Sequence, residues 1–315
     1  MPKLGASEVF EELMVGKRKS PIAVAAFLAL FMLLAVFALP SARASGEPWT
    51  KSADRSKTTK VWAIGDVGEG ALGQPVSDLV ASMPMRYLLY LGDIYPAGSA
   101  ADFANNYAPT FGQFDSRAVP TMGNHEYPDR LNGFDPYWQA ARGTRPPRYY
   151  AFAASGWQVI VLNSEMDTYP GSAQYSWLKN LLKSTKARGN CRIALTHRPR
   201  YSGGSHGDNS SIEPLWGLLA NRARIWLSGH DHDMQRFAAN RGIVQFVSGA
   251  GGRGHYAVDD SSSASLQFSN DTLDGALRLN LQRRQHGRSR AGWAFRSAED
   301  GTSLDSGSLG CKRKG

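Results

Sequence analysis

Five short apolar runs in this chain each lead into residues able to bind a metal, and this recurrence constrains the fold more than any other feature. Val61–Ile64 runs into Gly65-Asp66-Val67-Gly68, Tyr87–Leu91 into Gly92-Asp93-Ile94-Tyr95, and Val119–Met122 into Gly123-Asn124-His125-Glu126. Ile193–Leu195 runs into Thr196-His197-Arg198-Pro199, and Ile225–Ser228 into Gly229-His230-Asp231-His232. Runs of this length and β-branched content read as buried strands. In four of the five a glycine directly precedes the metal-capable side chain, which suits a sharp strand-to-loop turn. Open α/β sheets keep their sites at the carboxyl ends of strands. One Gly-Asp after a strand is an ordinary turn or helix cap; five such ends in one chain need another reason.

The intervening segments agree with an α/β plan. Val159–Leu162 and Ile243–Val247 read as further strands, and Val76–Met83 and Ser176–Lys186 carry helical spacing. Trp177, Leu178, Leu181 and Leu182 form a core-facing stripe on the second helix, so Trp177 reads as packing. Near the end, Ala276–Leu281 and Ala291–Phe295 flank a basic tip and read as an antiparallel hairpin. Apolar residues at 42% and charged residues at 20% exclude wholesale disorder. Two cysteines exclude a disulfide-dense scaffold and a Cys-rich zinc site.

The amino terminus reads as an address. Lys17-Arg18-Lys19 precede an uncharged apolar run, Ile22 to Leu39, which Pro40 ends, and Ala42-Arg43-Ala44 follows in the small-x-small pattern of a cleavage site. Residues 1–44 are therefore expected to be a signal peptide, with a signal anchor as the alternative. Residues 45–59 read as a polar linker, 60–311 as one catalytic domain and 312–315 as a tail. The protein is expected to be exported, periplasmic or secreted. The alternative is a membrane-anchored form facing outward, with membrane contact only through the uncleaved amino terminus. The formal charge of +9 falls to +7 without residues 1–44, since these carry five Lys+Arg and three Asp+Glu. It reads as the surface of a basic exported protein, densest at Arg283, Arg284, Arg288 and Arg290. Outside the cytosol Cys191 and Cys311 can oxidise. They would close a loop of about 120 residues; two free thiols are the alternative.

These elements resemble the calcineurin-like metallophosphoesterase superfamily, in particular purple acid phosphatases and their bacterial secreted relatives. The resemblance runs from about Lys60 to Cys311. It includes Tyr149-Tyr150-Ala151-Phe152, Leu162-Asn163-Ser164-Glu165 and Asp305-Ser306-Gly307 with Cys311. It implies a four-layer α/β/β/α sandwich with mixed sheets, here with a C-terminal antiparallel hairpin. It also implies two metal ions: iron, zinc or manganese. Asp66, Asp93 and His232 would hold one, and Asn124, His197 and His230 the other, with Asp93 shared. Purple acid phosphatases add a tyrosine from a G-D-x-x-Y element, whereas Tyr95 here follows Asp93 by two positions, not three. Tyr95 is thus a candidate ligand, with packing or substrate-edge duty as the other reading.

The resemblance gives His125 a part in contacting phosphate and protonating the leaving oxygen, and His206 a substrate contact, the alternative being a flexible surface histidine. Arg198 and Tyr201 are expected along the pocket, though Arg198 could equally pair with a surface carboxylate. Glu126 is expected to orient loops, and His255 and His286 to be surface or loop residues. The expected activity is hydrolysis of small phosphomonoesters by water activated at the metal pair, with no nucleic acid required. A phosphodiesterase acting on nucleotides or lipid head groups is the alternative with the same centre. A non-catalytic polyanion-binding protein is the third reading.

Overall fold

In the computed structural model of the chain, which describes Trp49, residues 55–185 and residues 189–312, the apolar runs divide between two mixed sheets. The leader expected over residues 1–44 lies outside the described residues. One sheet holds β1 (Thr58–Ile64), β2 (Tyr87–Tyr90), β3 (Ala118–Pro120), β11 (Gly275–Arg283), β12 (Arg288–Ser297) and β13 (Ser303–Lys312). Their order is β13-β12-β11-β1-β2-β3, with β1, β2 and β3 parallel and the rest antiparallel.

The other sheet holds β4 (Tyr150–Ala154), β5 (Trp157–Val161), β6 (Arg192–Leu195), β7 (Ile225–Ser228), β8 (Met234–Phe237), β9 (Val244–Ser248) and β10 (Leu266–Asn270). Their order is β10-β8-β9-β7-β6-β5-β4, with β5, β6, β7 and β9 parallel.

Period-two alternation divides the apolar residues of the second sheet between two cores. Val159, Val161, Ile193, Leu195, Ile225 and Leu227 join the core that the two sheets share. Ile160, Ala194 and Trp226 join a second core with α3 (Ala173–Ser184) and α4 (Glu213–Leu219). Burial of each large apolar side chain stabilises by roughly 1.5–3 kcal/mol. The parallel strands are apolar on both faces because both are covered. On the first sheet α1 (Gln74–Ala81) supplies Val76, Leu79 and Val80, and α2 (Phe134–Arg142) adds Phe134 and Trp138. Trp177 is half-buried against the second core, its ring 5.0 Å from Tyr149.

Helices α2 and α4, the short helical turns from Ala100 to Arg117, and strands β4, β8, β10 and β13 went unread in the sequence. Pro214 and Gly217 mask α4, whose Leu215, Trp216 and Leu219 are nonetheless buried. The C-terminal hairpin is extended by a third strand, β13, rich in serine and glycine and so loop-like in composition. A full ladder to β12 holds it. The expected disulfide is present: Cys311 on β13 joins Cys191, just ahead of β6, and so ties the two sheets together. Trp49 is buried, its ring 5.8 Å from Trp138 and 6.2 Å from Tyr150. Among the described residues no helix is long and apolar enough to cross a membrane.

Candidate metal centre

The loops after β1, β2, β3, β6 and β7 gather at the carboxyl ends of these parallel strands. Three residues there take backbone conformations that side chains other than glycine rarely adopt: Asp66 (φ 64°), Asp93 (φ 65°) and His230 (φ 75°). Each costs on the order of 1–3 kcal/mol and persists only where its surroundings over-determine it. Here they do. Asp66 N–H donates to Gly92 O at 2.9 Å, and His230 N–H to Asp66 Oδ2 at 2.9 Å. The Asp93 and Gly123 N–H groups both donate to Glu126 Oε2, at 3.0 and 2.9 Å, and Tyr90 donates to its Oε1. Glu126 therefore binds two strand-end loops together. Bare glycine is required beside them. A Cβ on Gly123 would lie 1.9 Å from Asp93 Oδ1, and one on Gly229 2.5 Å from Asp66 Oδ2.

The side chains so aimed converge. His197 Nε2 lies 3.2 Å from Asp93 Oδ2, 3.0 Å from Asn124 Oδ1 and 3.1 Å from His230 Nδ1. Ligand atoms of Asp93, His197 and His230 all lie within 4.8 Å of one another. On the other side of Asp93, Tyr95 Oη is 3.5 Å from its Oδ2 and 2.6 Å from His232 Nε2, which in turn is 3.8 Å from Asp66 Oδ1.

This arrangement fits metal ions. Asp66 Oδ1 is buried with no hydrogen-bond partner, a costly state for a carboxylate oxygen unless a cation meets it. His197 Nδ1 sits 2.9 Å from Leu91 O and His232 Nδ1 2.8 Å from Gly254 O. Donation of these N–H groups to fixed carbonyls leaves each Nε2 lone pair facing inward, the usual support of a metal-binding imidazole. Carboxylate, amide and imidazole donors suit iron, zinc or manganese.

Electrostatics follow the crowding. Burial pushes the Asp66 carboxyl well above its ordinary range. Burial would raise Asp93 too, but the charge of His197 and its hydrogen bond hold that carboxyl well below. Burial opposes charge on His197, yet Asp93 pushes it up to about 10. Burial lowers His232 to about 4 and, with His197 nearby, holds His230 lower still.

Around this group the other expected residues divide. His125 lies against the Tyr95 ring at 4.2 Å, with Nδ1 2.5 Å from Pro96 O and Nε2 3.8 Å from Asp93 Oδ2. The His206 ring lies 3.9 Å from that of His230, and its Nδ1 is 2.8 Å from Asp231 Oδ1. Arg198 Nε pairs with the nearly buried carboxylate of Glu165 at 2.9 Å, and its Nη1 lies 3.0 Å from His230 Nε2. Tyr201 departs from its expected place along the pocket. It is 5% exposed, with its ring 5.2 Å from Trp216 in the second core, because its alternate face of the chain turns inward there.

Sequence reading missed the loop after β9. Tyr256 stacks on His232 at 4.1 Å, and the Arg253 guanidinium lies 4.6 Å from the centre of the Tyr95 ring. His255 lies on this same loop, half-buried, with its Nδ1 3.1 Å from His232 O and its Nε2 3.3 Å from Asp274. The signal was available: Ile243–Val247 runs into Ser248-Gly249-Ala250-Gly251-Gly252-Arg253, another glycine-rich strand end.

Fold and site thus define a metal-binding α/β sandwich of the phosphoesterase kind. Residues 59–234 match the calcineurin-like phosphoesterase family, and the chain belongs to it. It is 26% identical to probable purple acid phosphatase 20 of Arabidopsis thaliana over 200 residues, covering 55% of this chain and 45% of that protein. It is 30% identical to purple acid phosphatase 18 of the same plant over 194 residues, covering 55% and 43%. The chain therefore spans less than half the length of these relatives. In fold it is similar to the purple acid phosphatase PPD1 from yellow lupin (Lupinus luteus) seeds, with a TM-score of 0.65 at 17% identity over 84% of this chain and 55% of that one.

Proposed function

We propose that this protein is an exported phosphatase that hydrolyses phosphomonoesters with two metal ions. The observation that carries the proposal is the convergence of Asp93, His197 and His230 beside the unpartnered Asp66 Oδ1. Asp66, Asp93, His232 and Tyr95 would hold one ion, and Asn124, His197, His230 and the shared Asp93 the other. When bound, such ions draw charge from the phosphate oxygens and make hydroxide available near neutral pH. The neutral Asn124 amide binds without adding negative charge, which keeps the centre attractive to phosphate. Export is supported by the leader-like amino terminus and by the Cys191–Cys311 disulfide.

Two imidazoles stand ready for proton work. His125 is tied by Nδ1 to Pro96 O, and His206 by Nδ1 to the buried Asp231 carboxylate, leaving each Nε2 for the substrate. Arg198 lies close enough to steady a phosphate oxygen. His125→Ala is expected to keep its metal but to lose about 10²–10⁴-fold in kcat, most on esters with poor leaving groups. Loss of metal in that variant would place His125 among the ligands instead. Iron-loaded protein is expected to be coloured by a tyrosinate-to-iron transition, and Tyr95→Phe to bleach it with most of the iron retained. An unchanged visible spectrum in Tyr95→Phe removes Tyr95 from the ligand set.

The whole reading is tested by elemental analysis of the purified protein alongside turnover of p-nitrophenyl phosphate and bis-p-nitrophenyl phosphate. Bound metal with faster monoester turnover is expected. Faster diester turnover makes the protein a phosphodiesterase, and a chain that binds no metal after reconstitution is no enzyme of this kind.

A further inference from the structure

A second charged feature lies far from the candidate metal centre. Thr58, at the start of β1, pairs with Gln282, beside the β11–β12 turn, while the Asp66 loop follows the other end of β1. The turn therefore marks the amino ends of the parallel strands, opposite the metal-binding loops. Here Asn190, Arg284, Arg288, Arg290, Ser308 and Lys312 line an open groove of about 550 Å³.

The cations in this groove are unneutralised. Arg288 stands directly across from Lys312 in the β12–β13 ladder, and like charges so placed destabilise a sheet. Arg290, two residues along the same face, stands across from Gly310, where even a Cβ would meet nothing within 4 Å. Among the described residues no carboxylate lies within 4.0 Å of Arg284, Arg288, Arg290 or Lys312. Arg148, Arg198, Arg200, Arg236, Arg241 and Arg253, by contrast, each have one. Arg284 and Arg290 donate to neutral acceptors instead, Gln282 Oε1 and Ser308 Oγ, so the positive charge of the row stays uncompensated.

We infer that this groove binds a linear phosphate-bearing polyanion and so anchors the protein by the end opposite its candidate metal centre. Guanidinium forks match phosphate oxygens in pairs, and arginine supplies three of the four cations. Arg288 and Arg290 follow one another along the same face of β12, with Lys312 across from the first, so the charge forms a row along which a linear chain can lie. No aromatic side chain lines it, so the stacking platform of a single-strand nucleic-acid site is missing. Row and groove together select a phosphate chain without bases.

The test measures binding of long-chain inorganic polyphosphate to the full-length, metal-loaded protein across a salt series. Affinity is expected to fall linearly on a log–log plot against salt. Arg284→Glu/Arg288→Glu/Arg290→Glu should weaken binding on the order of tenfold or more while p-nitrophenyl phosphate turnover and Tm hold. Should the glutamates impair folding, the glutamine triple variant replaces them, with a smaller loss in the same direction. Binding that survives both sets of substitutions but disappears in His230→Ala places the polymer at the metal centre and overturns the inference. Single-stranded DNA or phosphatidylglycerol vesicles bound more tightly than polyphosphate through the same arginines overturn the chosen ligand class.

Discussion

His230→Ala is expected to lower phosphomonoester turnover by at least about a thousand-fold and to strip metal from the protein. The reduction matches the upper range seen when one electrostatic stabiliser of a transition state is removed. Three things fail together. The imidazole whose Nδ1 lies 3.1 Å from His197 Nε2 is lost. The ring that supports His206 at 3.9 Å disappears. Alanine also inherits a φ of 75°, so the N–H that holds Asp66 Oδ2 loosens. The contrast is His255→Ala, whose ring nitrogens face the His232 carbonyl and Asp274 and which should keep its metal. Metal per chain and turnover, measured on both variants, decide the matter. Full metal and full activity in His230→Ala would leave the proposed centre without its middle.

The second large effect is on stability. Cys191→Ser/Cys311→Ser is expected to lower Tm by about 10 °C or more. The bridge spans a sequence separation of 120, for which the chain-entropy model gives roughly 5 kcal/mol. For a domain of this size each kcal/mol shifts Tm by roughly 2–4 °C. The bridge also holds an edge strand, β13, whose only buried side chain is that of Cys311, with Leu304 and Leu309 partly buried against the core. Thermal melts with and without reductant measure the effect. A double variant melting within ~2 °C of the native protein would mean that the ladder to β12 suffices.

The sequence disclosed more of the candidate site than of the fold's margins, for a physical reason. Strand ends such as Gly92-Asp93 and Gly229-His230 combine an apolar run, a glycine and a polar ligand within six residues, so sequence-local pattern reports them. Tyr201 sits in just such a neighbourhood, but its direction depends on Trp216, distant in sequence. Arg253 and Tyr256 reach the site from a loop whose ends are fixed by the β9 pairing, a long-range contact. β13 carries a weak apolar signature because its ladder, its disulfide and the Arg236–Asp305 pair, with only Leu304 and Leu309 packed on the core, keep it in the sheet. Similarly, α4 forms despite Pro214 and Gly217 because tertiary burial overrides weak local preference.

The torsions at Asp66, Asp93 and His230 bear on how such a protein can diversify. The grip on the candidate metal centre is exerted by main-chain geometry at strand tips, secured by Glu126 and by neighbouring glycines. Among the described residues, the outer segments over 127–133 and 166–172 make no hydrogen bond to Asp66, Asp93 or His230, whereas the loop after β9 holds His232 through Gly254 O. Those two segments can therefore be exchanged, lengthened or recharged while the candidate metal ligands stay seated.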